Sequence, residues 1–327
     1  MTGGSLRSSV EPRRPATQSR GVGRSHGKAI LFGEHAVVHG APAIVVPVPA
    51  LTLTAHVTVT DGPSRLESSL YSGPVTAAPD RLGPTVAALQ AALGWFDLAD
   101  VNVALRISSD IPASRGLGSS AATGAAVVAA IADLASRELT PAERHDLIQT
   151  SERVAHGAPS GIDAHGVVST SPLWFHGGTV EKLPTGAELT FVLADTGVAG
   201  STRTAVDAVR RVRETEPDRF AGILARLTAI AHAARTALAT GDRATVGSLM
   251  DESHLHLAAL GVSGPELDTL AAAARTAGAL GAKLTGGGLG GCLLALAPDL
   301  TTAEHVAAEL RAAGATAVHT STTEAFA

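Results

Sequence analysis

The chain has 327 residues, which exceeds the size at which one hydrophobic core usually stops growing, so two packed domains are expected. Apolar residues make up 45% of the sequence and charged residues 17%, which excludes disorder for most of the chain. A net charge of -5, with basic residues scattered along the sequence, argues against nucleic acid or an anionic membrane as the main partner.

Cysteine use and hydropathy give two further expectations. Cys292 stands alone, so it cannot form an intramolecular disulfide, and no Cys/His cluster has the spacing of a structural zinc site. No apolar run reaches the roughly 18–20 residues that a membrane-spanning helix needs. We therefore expect a soluble protein of a reducing cytoplasm, with neither nucleic acid nor a membrane as a partner.

Residues 1–23 differ in composition from the rest of the chain. They carry Arg7, Arg13, Arg14 and Arg20 among Ser, Pro and Gly, and they lack the apolar stretch that a secretory signal requires. We predict a disordered tail, and an Arg- and Ser-rich transit peptide is the alternative.

The N-terminal half predicts strands followed by two helices. Residues 29–32 form a short apolar run, and residues 51–60 alternate strictly between apolar and polar side chains, as a half-buried strand does. Residues 101–107 repeat that alternation. The helices are expected at residues 121–134, which are rich in Ala, Val and Ile, and at 141–155, where Thr140 can cap the first turn.

The C-terminal half is predicted to be mostly helical. Apolar residues recur three or four positions apart in residues 202–214, 219–240, 243–260 and 265–279. Strands are then expected at 282–285, 292–297 and 316–319, with a helix at 303–313, which makes an α+β second domain. We expect the domain boundary between residues 188 and 189, close to a cluster of Gly and Pro.

A glycine-rich segment joins a predicted strand to the helix at 121–134. It reads Ser114-Arg115-Gly116-Leu117-Gly118-Ser119-Ser120. Glycines let the backbone approach a phosphate chain, and the free N–H groups and dipole of the following helix favour negative charge. No Lys precedes the serines, so this is not a Walker A loop, and a tight connection without a ligand is the alternative. A Ser at this place can ligate Mg²⁺.

Two acidic residues follow in the next segment. Asp163 comes directly after a Ser-Gly-Ile turn, where it could orient or deprotonate an attacking hydroxyl group. The alternative for Asp163 is a helix N-cap. Glu152 is a candidate to share a metal with Ser120, and a solvated helix residue is the alternative.

The first strand and the residues after it carry a third group of candidates. Lys28, if close to Asp163, would stabilise negative charge on a transferred phosphoryl group, and otherwise it is a surface residue. The order Glu34-His35 with His39 is not the His-Glu-x-x-His of metalloproteases, and no third ligand is evident, so zinc is not expected.

The last candidate segment is Lys283 to Cys292. Glycine fills five of the six positions from 286 to 291, between two predicted strands, which favours a loop that faces a ligand over a bare hairpin. Cys292 begins an apolar strand and is interpreted as an inert buried thiol.

These segments, in this order, resemble the superfamily of galactokinase, homoserine kinase, mevalonate kinase and phosphomevalonate kinase. The three motifs of that superfamily correspond to residues 28–40, 112–122 and 283–292, and the resemblance spans about residues 24–327. Residues 33–40 and 152–163 look like the mevalonate kinase family. The resemblance implies an α+β fold: an N-terminal ATP-binding domain (24–188) with a left-handed β-α-β crossover, and a ferredoxin-like C-terminal domain (189–327).

The same resemblance implies roles for matching positions. Asp163 matches the catalytic base and Lys28 the residue that pairs with it, while Ser120 and Glu152 match ligands of Mg²⁺. The residues implied to surround the phosphates of ATP are Ser114, Arg115, Gly116, Leu117, Gly118, Ser119 and Ser120, and those implied to face the acceptor are Glu34, His35, Thr202 and Gly287.

Two departures from the usual motifs stand out. Gly287 and Leu289 occupy positions where Ala and Gly are usual, and Ser114-Arg115 replaces a common Gly-Ala. Arg115 is expected either to contact a phosphate or to point outward.

The resemblance implies a homodimeric, ATP- and Mg²⁺-dependent kinase that phosphorylates mevalonate. Alternatives are a sister kinase for homoserine or a sugar, an ATP-using decarboxylase of diphosphorylated mevalonate, and a catalytically inactive metabolite sensor on the same fold.

Overall fold

The computed structural model describes residues 18–157 and 159–326, with the backbone but not the side chain of Thr202. Two β-sheets organise these residues. The strands are β1 (Arg20–Phe32), β2 (Ala43–Val59), β3 (Arg65–Ser68), β4 (Tyr71–Pro74), β5 (Val103–Ser109), β6 (Leu173–His176), β7 (Thr179–Lys182), β8 (Leu189–Asp195), β9 (Gly281–Thr285), β10 (Cys292–Ala297) and β11 (Ala317–Thr323). The α-helices are α1 (Gly83–Trp95), α2 (Ser119–Leu134), α3 (Pro141–His156), α4 (Ile162–Gly166), α5 (Thr202–Thr215), α6 (Pro217–Thr240), α7 (Arg243–Ala259), α8 (Pro265–Thr276) and α9 (Leu300–Ala312).

The long strand β2 is the axis of the first sheet, whose order is β4-β3-β5-β2-β6-β7 with β1 also paired to β2. One edge of β2 pairs with β1, and its other edge pairs with β6 and then with β5. The second half of β2 alternates between buried and exposed residues, as predicted, whereas residues 43–48 are buried throughout. That first half is buried on both faces because β1 and β2 there also contact elements of the C-terminal half.

Helix α2 lies directly against β1, and glycine in the strand makes this approach possible. A Cβ atom on Gly21 would lie 2.2 Å from the carbonyl oxygen of Ala130, and one on Gly23 would lie 2.0 Å from that of Ala126. Helices α1 and α3 pack beside α2. The core of the first half therefore lies between this helical layer and the sheet.

The second sheet has the order β11-β8-β10-β9, with every pair antiparallel. Taken in chain order, its strands lie fourth, first, third, second, which is the order of a ferredoxin-like β-α-β-β-α-β unit in which α5 to α8 replace the first helix. All residues of β8 and β10 are buried, because helices α8 and α9 pack on this sheet.

Most predicted elements are confirmed. Helix α3 begins with the predicted cap: the hydroxyl of Thr140 accepts from the backbone N–H of Glu143, whose carboxylate accepts from the backbone N–H of Thr140. The α+β fold class with two sheets is confirmed. The expected boundary at residues 188 and 189 stays a proposal, and it lies in the connection between β7 and β8.

The predicted tail needs a correction at its end. Residues 1–17 lie outside the described residues, but residues 20–23 belong to β1 and pair with residues 55–58 of β2. Glycine here looked like linker composition, whereas it serves the close contact with α2. Helix α1 and the β3–β4 hairpin were not predicted, because α1 opens on Gly-Pro and each hairpin strand is only four residues long.

The β1–α2 contact yields a stability prediction. Gly23→Ala should lower the free energy of unfolding by about 2–4 kcal/mol, because the new methyl group overlaps backbone atoms of α2 that cannot rotate away. Urea unfolding followed by circular dichroism measures this.

Gly222→Ala is the matched control. Gly222 is an exposed residue inside α6, and no atom of the described residues lies within 4 Å of its missing Cβ. Its replacement should raise stability by about 0.5–1 kcal/mol through helix propensity. Equal effects of the two substitutions would contradict the packing argument.

Candidate active site

An ion pair between a buried lysine and a partly exposed aspartate marks the site. The Nζ of Lys28 lies 2.9 Å from an Oδ1 of Asp163, with the lysine side chain 3% and the aspartate side chain 35% exposed. Lys28 Nζ also donates to the carbonyl oxygen of Gly116 at 3.2 Å. Asp163 lies in the first turn of α4 and faces the opening, whereas Lys28 comes from inside β1. The structure thus brings two predicted residues together, 135 positions apart in sequence.

The glycine-rich segment 114–118, which we call the phosphate loop, leads into α2. Ser114, Gly116 and Gly118 have φ angles of 59°, 79° and 75°, so three of its five residues take the left-handed conformation. Gly118 is the N-cap of α2 and offers no side chain to the first N–H groups of the helix. Those groups remain available to an anion.

Ser120 and Glu152 face each other beside this helix start. Ser120 Oγ and Glu152 Oε1 are buried and make no hydrogen bond of ordinary geometry with the described residues, although the two groups are close enough for the hydroxyl to lower the pKa of the carboxyl group. Burial and then the negative charge of Asp163 raise the pKa of Glu152, and the Ser120 hydroxyl, His156 and Lys28 oppose the shift. Two orphaned hard oxygen donors of this kind fit a Mg²⁺ ion.

Arg115 makes a contact that the sequence did not predict. Its Nε donates to the two carboxylate oxygens of Asp195 at 2.7 and 2.8 Å, and its Nη2 donates to the carbonyl oxygen of Gly197 at 3.3 Å. Asp195 is the last residue of β8. Arg115 therefore connects the phosphate loop to the second sheet instead of pointing outward, and its side chain also lines the cavity described below, so a phosphate contact stays a prediction.

The glycine-rich segment 286–291, the second glycine loop, lies opposite the phosphate loop. A Cβ on Gly286 would lie 2.8 Å from the Cα of Gly116, so the two loops touch backbone to backbone. The hydroxyl of Thr285 bonds both the N–H and the carbonyl of Ile30 in β1, each at 3.0 Å. A cavity of about 280 Å³ opens between the loops, lined by Ser114, Arg115, Gly116, Gly118, Ser119, Ser120, His156, Asp163, Gly200, Thr285, Gly287, Gly288, Gly290 and Gly291.

The residues implied to face the acceptor lie at different depths. His35 donates from Nε2 to the carbonyl oxygen of Gly287 at 2.9 Å, and burial lowers its pKa. Glu34 is buried in an ion pair with Lys283, which is itself buried and donates to the carbonyl of Leu284 at 2.7 Å. Burial raises the pKa of Glu34 and lowers that of Lys283, and their attraction opposes both shifts.

Two remaining candidates occupy other positions. Leu117 is buried, and its carbonyl accepts from the backbone N–H of Lys28 at 3.1 Å, so its side chain belongs to the core. Thr202 begins α5, next to Gly200 of the cavity wall, but its side chain lies outside the described residues. His39 packs its ring edge-on against Phe220 at 5.0 Å.

Sequence reasoning missed the partners of these residues. Lys283 was identified only as the start of a candidate segment, and Asp195 was not among the candidates. A charged residue inside an otherwise apolar strand was the available signal for both, because such a charge requires a buried partner.

Comparison with known proteins identifies the family. Residues 82–169 match the family model for the GHMP kinases N terminal domain, and residues 234–316 match that for GHMP kinases C terminal. The mevalonate kinase of Thermococcus sibiricus is 36% identical over 307 residues, covering 88% of this chain and 91% of that protein. The mevalonate kinase of Pyrococcus furiosus is 33% identical, covering 90% and 94%. This chain belongs to the mevalonate kinase family.

Solved structures agree with that membership. The crystal structure of L. major mevalonate kinase in complex with R-mevalonate has a TM-score of 0.85 and 28% identity, covering 96% of this chain and 99% of that one. Mevalonate kinase from methicillin-resistant Staphylococcus aureus MRSA252 has a TM-score of 0.72 and 31% identity, covering 94% and 100%. The two-sheet architecture is therefore that of the mevalonate kinase family. Among the described residues, no helix is long and apolar enough to cross a membrane.

A pair of histidines supports the turn that carries Asp163. The rings of His145 in α3 and His165 in α4 stack at 4.1 Å, and Gly161 lies against the His145 ring and the Gln149 amide. Burial, and then repulsion by a charged His145, lowers the pKa of His165 to about 4 from its usual 6.5. Burial in the stack therefore disfavours the charged form of both rings.

This stack yields a pH prediction. Between pH 6.5 and 4 the unfolded chain protonates His165 and the folded chain does not, so His165 costs stability increasingly as pH falls through this window. His165→Gln should therefore gain stability relative to wild type as pH falls from about 6.5 to about 4. Thermal melts across this range measure the difference, with His305→Gln, an exposed site on α9, as the control. A pH-independent difference for His165→Gln would contradict the argument.

Proposed function

We propose that this chain transfers the γ-phosphoryl group of ATP to the 5-hydroxyl group of mevalonate, giving 5-phosphomevalonate on a route to isoprenoids. The observation that carries the proposal is the Lys28–Asp163 contact of 2.9 Å at a cavity walled by two glycine loops, in a member of the mevalonate kinase family. Phosphoryl transfer depends mostly on positioning and charge stabilisation, and such a cavity supplies both.

Asp163 is the proposed general base. Its partly exposed carboxylate lines the cavity, where it accepts the proton of the acceptor hydroxyl as the oxygen attacks. Lys28 holds that carboxylate in place and adds positive charge next to the transferred group. The deep burial of Lys28 makes its charge more effective there than it would be in water.

The phosphate loop and the start of α2 are proposed to bind the phosphates of ATP. Their free N–H groups and glycine backbone suit a polyanion. Ser120 and Glu152 would hold Mg²⁺, which when bound neutralises phosphate charge. A second cavity of about 150 Å³ adjoins the first at Ser119, is lined partly by Leu66 and Ile107, and is proposed to take the nucleoside.

The acceptor is proposed to lie on the side of His35 and Gly287, with Thr202 at the start of α5 close by. Glu34 is proposed to face the acceptor from the buried side of the site, because its buried Oε2 has no partner among the described residues. From family membership we further propose that the protein is cytoplasmic and forms a homodimer. Light scattering of the purified protein tests the homodimer.

A substrate panel tests the proposed function. ATP consumption with Mg²⁺ is measured against mevalonate, phosphomevalonate, homoserine and galactose, and product mass is determined. Mevalonate-dependent turnover to a monophosphate is expected. Turnover with another alcohol alone would mean a sister kinase, and ATP binding without turnover would mean a metabolite sensor.

Asp163→Asn tests the role of the base. This change keeps the shape but removes the proton acceptor, so kcat should fall by about 10²–10⁴-fold while ATP still binds. Steady-state kinetics and ATP titration calorimetry measure the two quantities. Asp100→Asn, at an exposed turn, is the control and should behave as wild type. Near-normal kcat in Asp163→Asn would exclude Asp163 as the base.

A further inference from the structure

The structure links two neighbouring residues at the start of the phosphate loop, Ser114 and Arg115. Ser114 has a φ of 59°, in the left-handed region that glycine adopts without cost and that a serine adopts only with strain. A loop containing such a residue keeps its conformation only where its surroundings fix it.

Arg115 supplies a fixing contact at the adjacent position. Its guanidinium bonds both carboxylate oxygens of Asp195 and the carbonyl of Gly197, and the Arg115 and Asp195 side chains are 17% and 9% exposed. Asp195 Oδ1 also accepts from the N–H of Gly197 at 2.8 Å. Asp195 is anchored in turn, since β8 pairs with both β10 and β11. A planar, multiply bonded guanidinium holds a loop in one orientation better than a single contact does.

The backbone around Arg115 shows why orientation matters here. Gly291 of the second glycine loop approaches so closely that a Cβ on it would lie 3.1 Å from the carbonyl oxygen of Arg115. Lys28 Nζ donates to the carbonyl oxygen of the next residue, Gly116. A shift of the phosphate loop would therefore disturb both the opposite cavity wall and the contacts of Lys28.

We propose that Arg115 and Asp195 are positioning residues for ATP: their ion pair offsets the strain at Ser114 and fixes the phosphate loop in the conformation that binds the phosphates. The inference rests on the proposed function only in taking this loop as the site of the ATP phosphates. The pair carries no net charge, so its contribution to ATP binding is geometric.

This role predicts a particular order of affinities. Arg115→Ala should weaken ATP binding by about ten-fold or more, which corresponds to about 1.4 kcal/mol, because it frees the loop and leaves the Asp195 carboxylate unpaired near the phosphates. Arg115→Ala/Asp195→Ala should bind ATP better than Arg115→Ala, because the unpaired carboxylate is gone. Adding Ser114→Gly to the double variant should recover affinity further, because the strain is gone.

The measurement is calorimetric titration of ATP with Mg²⁺ into each variant without any acceptor, so it remains informative whichever alcohol the enzyme uses. In kinetics, KM for ATP should rise in the Arg115 and Asp195 variants by a larger factor than that by which kcat falls, because the loop binds ATP directly and reaches the base only through the contact of Lys28 with Gly116. Asp195→Asn, which keeps the shape, serves if Asp195→Ala does not fold, and circular dichroism checks each variant. Arg226→Ala, which breaks an ion pair between α6 and α7, is the control and should leave ATP affinity unchanged.

Two outcomes would overturn the proposal. In the first, Asp195→Asn binds ATP at least as tightly as wild type, and Arg115→Ala and Arg115→Ala/Asp195→Ala bind ATP with the same reduced affinity. Arg115 would then contact the phosphates directly. If all variants bind ATP as wild type does, the pair has no part in nucleotide binding.

Discussion

The buried ammonium group of Lys28 constrains the whole site. A charge that is almost fully removed from water needs polar partners, and Lys28 finds them in the Asp163 carboxylate and the carbonyl of Gly116. This requirement draws together β1, the phosphate loop and α4. It also restricts the residues along the lysine stem: a Cβ on Gly118 would lie 3.0 Å from Lys28 Cγ, and one on Gly166 would lie 3.2 Å from Lys28 Cβ.

Backbone contact between the two halves is the second constraint. Gly116 meets Gly286, and the Thr285 hydroxyl bonds the β1 backbone on both its N–H and carbonyl sides. Because the contact between Gly116 and Gly286 is made by main-chain atoms, side chains at these two positions would separate the halves and widen the cavity. The glycine content of both loops thus serves the joint between the halves as well as the approach of a ligand.

The sequence predicts those parts of the molecule that depend on local chemistry. The cap at Thr140, the alternation in β2 and the residue types of the phosphate loop are local, and the structure has each in its expected place. Contacts between distant segments were not predictable in this way. The partners of Arg115 and Glu34 lie 80 and 249 positions away in the sequence. The early start of β1 depends on Gly21 and Gly23, which pack against α2 about a hundred residues later in the chain.

The side-chain cations of the site contribute little to its affinity for phosphate, because carboxylates already pair with them. Each of the three cations discussed is paired with its own carboxylate: Lys28 with Asp163, Arg115 with Asp195, and Lys283 with Glu34. Glu152 adds a further carboxyl group, and burial beside Asp163 raises its pKa. The side chains therefore leave little net positive charge for a polyanion. The N–H groups at the start of α2 remain, and a divalent cation on the oxygens of Ser120 and Glu152 would supply the rest, which makes metal dependence a consequence of how the fold pairs its charges.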